Sequence, residues 1–360
     1  MNLLYKPNAD DALRRLDAFW HNDLLDRPPV MAVCPLPGTT PPPGPGQLAG
    51  FDGDFAGALA QFEAMAECMY WGAEAFPTYG PCVGPDQFAA FFGGNIVVSP
   101  ESAETSWVER FVDDWTDILP LRLDPENDYW KQILALCDYA GKAAAGKFLV
   151  ATLDTHSNMD ALGAMRGYER LCLDMLDCPE VIDDACAQIR DFYIPIYDAV
   201  YHAAGMDQVG VTTSWLGAVG RGKGTCVQCD FAALMSPRMF DRWVMPCLEE
   251  ETAFLDHAIY HWDGPDALPH LPSLLSLPNV HGLQWVPGSG EEAEGRPMYT
   301  WVDELQAIQA AGKSVYAYGP VEALQTLHKQ LEPNLVMYNV QGLQTPREAD
   351  DFCKWLEEHS

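Results

Sequence analysis

Two short stretches of the sequence place a carboxylate two residues from an imidazole. They are Asp154-Thr155-His156 and His261-Trp262-Asp263. In an extended strand, residues i and i+2 share a face, so each pair could act as an acid–base couple. The alternative is that each aspartate caps a following helix and each histidine binds a loop carbonyl. We take His261, Asp263, Asp154 and His156 as candidate catalytic residues.

The second pair belongs to a strand–loop–helix–strand pattern between residues 256 and 287. An apolar strand at 258–262 runs into the loop 263–266, a proline-punctuated helical segment follows, and a second apolar strand covers 280–286. This order is typical of a parallel sheet, in which ligands bind at the carboxyl ends of the strands. We therefore expect the site at this edge of the sheet.

Aromatic and amide side chains occur at other predicted strand ends. The candidate substrate-binding residues are Trp215, Gln284, Trp285, Tyr316, Tyr318 and Asn339. Side chains alternate along a strand, so about half of this set must point away from any one cavity, and the rings could equally form core. As a pocket wall, they would suit a flat aromatic ether by stacking or a methylated ammonium by cation–π attraction.

About eight predicted strands alternate with helices along the 360 residues. This predicts an α/β fold, a TIM (β/α)8 barrel, as a single domain over 1–360. An amphipathic helix at 9–20 forms an N-terminal extension. The Pro/Gly-rich stretch 36–57 is either a lid or a surface excursion, and 88–123 is an inserted excursion after the second strand. No nucleotide-binding glycine motif and no Gly-x-Ser-x-Gly motif is present.

The charge balance excludes several classes of partner. With 52 acidic and 21 basic residues, the formal net charge is −31. Nucleic acids and anionic membranes need clustered Lys and Arg, and a polyanionic small substrate is disfavoured for the same reason. The sequence has eleven cysteines without regular spacing, no signal peptide and no transmembrane run. We therefore expect free thiols and a cytoplasmic location.

Four segments, in this order, resemble the uroporphyrinogen decarboxylase superfamily, whose members include TIM-barrel methyltransferases that use corrinoids. They are DRPPV at 26–30, GMD at 205–207, LMSPRMF at 234–240 and TPREA at 345–349. The porphyrin decarboxylase itself has an arginine-rich N-terminal strand and loop, whereas 30–38 here contain no cation. Several carboxylates on one substrate are normally bound by guanidinium groups, so this stretch does not fit a polycarboxylate substrate. The chain is therefore more similar to the methyltransferase branch.

The resemblance also implies a metal site, but this sequence departs from the ligand pattern of the zinc-dependent members. Zinc-dependent members of that branch carry His-x-Cys at the end of a late strand and another Cys on the last strand. Here Asp263 stands in place of the first Cys, and 339–342 contain none. His261 and Asp263 could still bind zinc, with Cys229 as a third ligand by its expected place in the barrel. Cys226 and Cys229 lack a second pair that would complete a structural zinc site.

These expectations combine into one leading hypothesis and two alternatives. The leading one is a methyltransferase that moves a methyl group from a small methoxylated or methylated compound to a corrinoid carried on a partner protein. The alternatives are a decarboxylase of a less anionic acid and a non-catalytic ligand-binding barrel. A homodimer is also among the expected assemblies, and the sequence does not determine the oligomeric state.

Overall fold

The computed structural model describes residues 1–46, 48–98, 106–288 and 296–360. Position 47 of the predicted 36–57 loop and positions 99–105 of the predicted insertion lie outside these residues. Over the described residues, none of the helices is both long enough and apolar enough to cross a membrane.

The helices and strands alternate through most of the chain. The strands are β1 (Val30–Pro35), β2 (Met69–Ala73), β3 (Thr78–Tyr79), β4 (Asn95–Val98), β5 (Ser106–Glu109), β6 (Leu149–Val150), β7 (Val211–Thr212), β8 (Gly220–Arg221), β9 (Gly224–Gln228), β10 (His257–Asp263), β11 (Gly282–Val286), β12 (Ser314–Gly319) and β13 (Val336–Val340). The α-helices are α1 (Ala9–Trp20), α2 (Phe55–Ala66), α3 (Gln87–Ala90), α4 (Asp128–Ala144), α5 (Asn158–Arg166), α6 (Tyr168–Asp177), α7 (Pro179–Asp191), α8 (Tyr193–Ala203), α9 (Met206–Val209), α10 (Pro237–Trp243), α11 (Met245–Phe254), α12 (Leu271–Ser276), α13 (Val302–Ala310), α14 (Val321–His328) and α15 (Pro346–His359). Short 3-10 helices cover Trp115–Asp117, Asp230–Leu234, Pro265–His270, Met298–Thr300 and Pro333–Leu335.

A seven-stranded sheet forms the centre of the fold. Its order is β2-β1-β13-β12-β11-β10-β9, and every neighbouring pair is parallel except β1 with β2. This confirms the α/β fold with a mostly parallel sheet, and the alternation of strands and helices is consistent with a TIM-like barrel. The carboxyl ends of β9 to β13 and β1 therefore lie at one edge of the sheet.

The predicted closed ring of eight strands is not seen as a continuous ladder in the described part of the chain. β2 takes the free edge of β1 in antiparallel pairing, and β3 and β6 pair with each other over only two residues each. Between β6 and β9, the Thr152 amide donates to the Thr213 carbonyl oxygen (2.8 Å), and the Thr152 and Thr225 hydroxyls lie 2.7 Å apart. Side chains and single backbone bonds thus bridge this sector of the sheet.

Two buried clusters divide the core. One lies inside the sheet and includes Ile259, Tyr316 and Met337, and α1 packs against it through Leu13 and Leu16. The amphipathic helix predicted at 9–20 is confirmed as α1. The other cluster lies between the sheet and the surrounding helices and includes Trp262 and Trp285.

Some local predictions are wrong. The apolar and β-branched residues of 208–215 predict a single strand, but α9 and β7 divide this stretch, because Gly205 and Gly210 adopt left-handed backbone angles (φ 67° and 77°). Trp215 consequently lies in a loop. In the insertion, β4 and β5 pair antiparallel. The predicted 36–57 loop has no regular element before α2, which begins at Phe55.

Candidate functional site

Three polar side chains converge where β10 ends. Asp230, His261 and Asp263 each offer one ligand atom, and these atoms lie within 4.8 Å of one another. His261 Nε2 is 3.9 Å from Asp230 Oδ1. His261 and Asp263 share a face of β10 because they are two residues apart, and Gly264 (φ 82°) ends the strand directly after them. We call this group the mouth cluster.

The neighbouring strand fixes the orientation of the His261 ring. β11 pairs with β10 so that Gln284 stands opposite His261. The Gln284 Oε1 atom accepts a hydrogen bond from His261 Nδ1 at 2.7 Å. With its proton on Nδ1, the neutral ring presents the Nε2 lone pair to Asp230 and Asp263, which suits metal binding or proton transfer.

Asp263 is held in an environment that disfavours its charge. Burial raises the pKa of its carboxyl, and the nearby Asp230 charge adds to this, while His261 acts in the opposite direction. Its Oδ1 atom is buried and has no hydrogen-bond donor among the described residues. Burial and the Asp263 charge together raise the pKa of Tyr318 to about 12, which places this ring beside the cluster. A buried oxygen of this kind is available to a cation or a proton.

The Asp154–His156 pair reaches the same edge of the sheet. His156 Nε2 is 3.8 Å from Asp154 Oδ2, and Nδ1 is 3.7 Å from Asp160 Oδ2. Burial lowers the pKa of His156, but the charges of Asp160 and Asp154 outweigh it and the net shift is upward. Burial also raises the pKa of Asp154, whose Oδ1 accepts from Gln228 Nε2 (3.3 Å). The Asp230 charge acts on both histidine pairs, so they form one electrostatic unit.

Asp160 and Asp86 complete this surface and were missed by the sequence patterns. Asp160 accepts the backbone N–H groups of Asp230 (3.0 Å) and Phe231 (2.7 Å), and burial raises its pKa to about 6. Asp160 lies in the first turn of α5, where a carboxylate commonly complements the helix dipole, so its residue type alone does not mark a site. Asp86 follows a glycine-rich turn, where no pattern marks it. Both are recognised only through contacts between distant segments.

A cavity of about 510 Å³ opens beside the mouth cluster. We call it the side cavity; the residues that line it include Asp86, Trp107, Arg110, His156, Tyr168 and Asp230. Asp230 belongs both to this lining and to the mouth cluster. A small molecule in the side cavity would therefore lie next to the groups capable of acid–base or metal chemistry.

A second, smaller cavity of about 230 Å³ lies on the other side of Trp215 and is lined in part by Asn339 and Ser214. The Trp215 ring stands edge-to-face on His261 at 5.2 Å and is 46% exposed. Tyr316 is buried below it; its hydroxyl donates to the Leu216 carbonyl (2.7 Å) and accepts from Asn339 Nδ2 (3.0 Å). Tyr316 therefore supports the Trp215 loop, whereas Trp215 and Asn339 reach the cavity.

Two sequence-predicted residues lie away from the site and are corrected here. Trp285 was placed in the pocket, but it is fully buried on the helix side, between Trp262 (4.3 Å) and Trp301 (5.1 Å). It adjoins Gln284 along β11, so alternation turns it outward when Gln284 faces His261. Cys229, the expected third zinc ligand, is buried in the outer cluster, and burial raises its thiol pKa well above the usual value. Asp230, the next residue, takes its place.

Another cavity, of about 770 Å³ and so larger than the side cavity, lies at the opposite, amino end of the sheet near Leu3, Gly146 and Val211. It is remote from both histidine pairs. Size alone therefore does not locate the chemistry, and we place the candidate site at the carboxyl end.

The donor set of the mouth cluster fits a divalent metal ion. Imidazole nitrogen and carboxylate oxygen are both ligand types that zinc accepts, and three protein ligands leave a fourth position for substrate. The bound Nδ1 of His261 and the unpartnered Oδ1 of Asp263 agree with such a role. No thiol belongs to the cluster among the described residues.

Comparison with solved structures supports the fold. The chain is similar to a methyltransferase from Methanosarcina mazei over 97% of its own length and 98% of that chain, with a TM-score of 0.60 and 12% sequence identity. Identity this low shows a shared fold and does not carry the activity across. The sequence matches no known family profile and no curated protein.

Proposed function

We propose that the protein is a methyltransferase that takes a methyl group from a small methoxylated or methylated compound and passes it to a corrinoid carried on a partner protein. The observation that carries the proposal is the mouth cluster, in which His261 Nε2 and the Asp230 and Asp263 carboxylates face one point beside a cavity. The fold shared with a methyltransferase supports it.

The chemistry explains why such a cluster is needed. When a methyl group leaves an ether or an amine, the bonding electron pair stays on oxygen or nitrogen, and an alkoxide or amide anion is a poor leaving group. A proton delivered to that atom removes the difficulty. Protonated His261, oriented by Gln284, could donate from Nε2, and the raised pKa of Asp263 makes it a neighbouring proton holder.

A zinc ion bound by His261, Asp230 and Asp263 would supply Lewis acidity to the same leaving atom. In either case the protein residues perform the same task, which is to orient one imidazole beside two carboxylates. Trp215 packs edge-to-face on the His261 ring.

Decarboxylation of a small acid fits the site less well. Five carboxylates, those of Asp86, Asp154, Asp160, Asp230 and Asp263, surround the two histidines. Their charges would repel a carboxylate substrate, and burial, which raises the pKa of four of them, would disfavour the charge of that substrate as well.

The proposal is tested by incubating the protein with a reduced corrinoid protein and a panel of methoxylated and methylated compounds. We expect the absorbance spectrum of methylated corrinoid to appear with at least one donor. No spectral change across a broad panel would contradict the proposal, and carbon dioxide release without corrinoid would favour a decarboxylase.

A further inference from the structure

The side cavity has two aromatic walls near its opening. Trp107 extends from β5 and Tyr168 begins α6, and their side chains are 43% and 46% exposed. Tyr168 stacks on Phe231 (5.8 Å between ring centroids) and lies across α5 at Gly163, where an added Cβ would be 2.8 Å from the ring. Contacts with Phe231 and with α5 thus hold the Tyr168 ring in place, and this ring lines the cavity.

The carboxylate of Asp86 lines the same cavity. Asp86 is only 9% exposed, and its Oδ2 accepts the Val108 N–H at 3.0 Å. Its Oδ1 has no hydrogen-bond donor among the described residues. Burial raises the pKa of Asp86, and the Asp230 charge adds to this, while His156 acts in the opposite direction. A cation with an N–H group would satisfy this oxygen and stabilise the charged form of the buried carboxylate.

The positive groups of the cavity are already matched by carboxylates. His156 lies between Asp154 and Asp160. Arg110 is half-exposed, and its Nη1 atom lies 3.6 Å from Asp113 Oδ1. Where Arg110 approaches α6 it presents its aliphatic stem, because an added Cβ at Gly167 would be 3.1 Å from its Cδ. The cavity as a whole therefore favours a cation over an anion.

We infer that the side cavity binds a small N-methylated ammonium ion that keeps at least one N–H group. The N–H would donate to Asp86 Oδ1, and the methyl groups would contact Trp107 and Tyr168 by cation–π attraction. Binding of this cation is inferred from the cavity alone. Its role as the methyl donor rests on the proposed function.

The chemistry of such a donor is balanced. One C–N bond breaks, its electron pair stays on nitrogen, and a neutral amine leaves with the proton that it already carried. The methyl group is taken up by the electron pair of the reduced corrinoid. The carboxylates of the cavity would keep the nitrogen protonated, which is the condition for its departure.

Binding can be measured by calorimetry at pH 7 with three probes of similar size: trimethylammonium, neutral tert-butanol and anionic isobutyrate. We expect trimethylammonium to bind at least tenfold more tightly than either of the others. Asp86→Asn should weaken it about tenfold while retaining an acceptor for the Val108 N–H. Asp303→Asn, which removes an exposed carboxylate on α13 outside the lining of this cavity, is the matched control and should bind like the wild type.

The inference would be overturned if trimethylammonium does not bind, if it binds no more tightly than tert-butanol, or if isobutyrate binds more tightly than it does. An unchanged affinity for trimethylammonium in a folded Asp86→Asn variant would overturn it as well. Selective cation binding without any methyl transfer would uphold this inference and count against the proposed function. Methyl transfer from a methoxylated donor without selective cation binding would support the proposed function and overturn the present inference.

Discussion

Replacement of Gln284 by leucine tests whether this residue orients His261. Gln284 is 7% exposed, and its Oε1 atom accepts from His261 Nδ1 at 2.7 Å. Leucine removes the acceptor, so the ring is free to rotate or to move its proton to Nε2, the nitrogen that faces the carboxylates. Partners of this kind are typically worth about 10- to 100-fold in metal affinity. The unpaired N–H would also cost about 1–3 kcal/mol of stability.

Zinc affinity would be measured by competition with a fluorescent chelator, and stability by thermal unfolding. Gln309→Leu is the matched control: Gln309 is also 7% exposed and donates to the Glu332 and Leu335 carbonyls, but it lies on α13 far from the site. Both variants should lose stability, and only Gln284→Leu should lose zinc affinity. Equal zinc affinity in the two variants would refute the orienting role.

The remaining predictions concern the core and the pH dependence. Burial raises the pKa of Glu251 to about 8 from 4.5, so folding takes up a proton between these values and stability falls by about 1.4 kcal/mol per pH unit as pH rises. Glu251→Gln should remove this loss. An equal change in unfolding free energy between pH 5.5 and pH 7.5 in the wild type and the variant would contradict the prediction. Trp285→Ala should lower the unfolding free energy by about 3–5 kcal/mol and leave the affinity of the side cavity for trimethylammonium unchanged. A loss of that affinity in the folded variant would show that Trp285 contributes to the site.

The sequence predicted the parts of the site that depend on one strand. The spacing of His261 and Asp263 is enough to put both on one face of β10, and the apolar pattern is enough to predict the strand. Trp285 shows where this stops. Gln284 and Trp285 are adjacent, so only one can face inward, and the choice depends on the β10–β11 register, which a single sequence does not reveal.

The same limit applies to contacts between distant segments. Asp86 and Asp160 reach the site from a loop and a helix that lie more than ninety residues before β10, and no local pattern marks them. The predicted barrel required eight similar strands, whereas β3 and β6 are two residues long and the Trp215 loop occupies the sector beside them. The left-handed backbone angles of Gly205 and Gly210 interrupt the chain before β7, which leaves Trp215 in a loop rather than in a long strand.

The central claim is that methyl transfer takes place around His261, and the rate of transfer to corrinoid tests it most directly. His261→Ala would be compared with His202→Ala, an exposed histidine on α8, using the donor on which the wild type is most active. We predict at least a hundredfold loss for His261→Ala and a wild-type rate for His202→Ala. A His261→Ala rate within about twofold of the wild type would contradict the account.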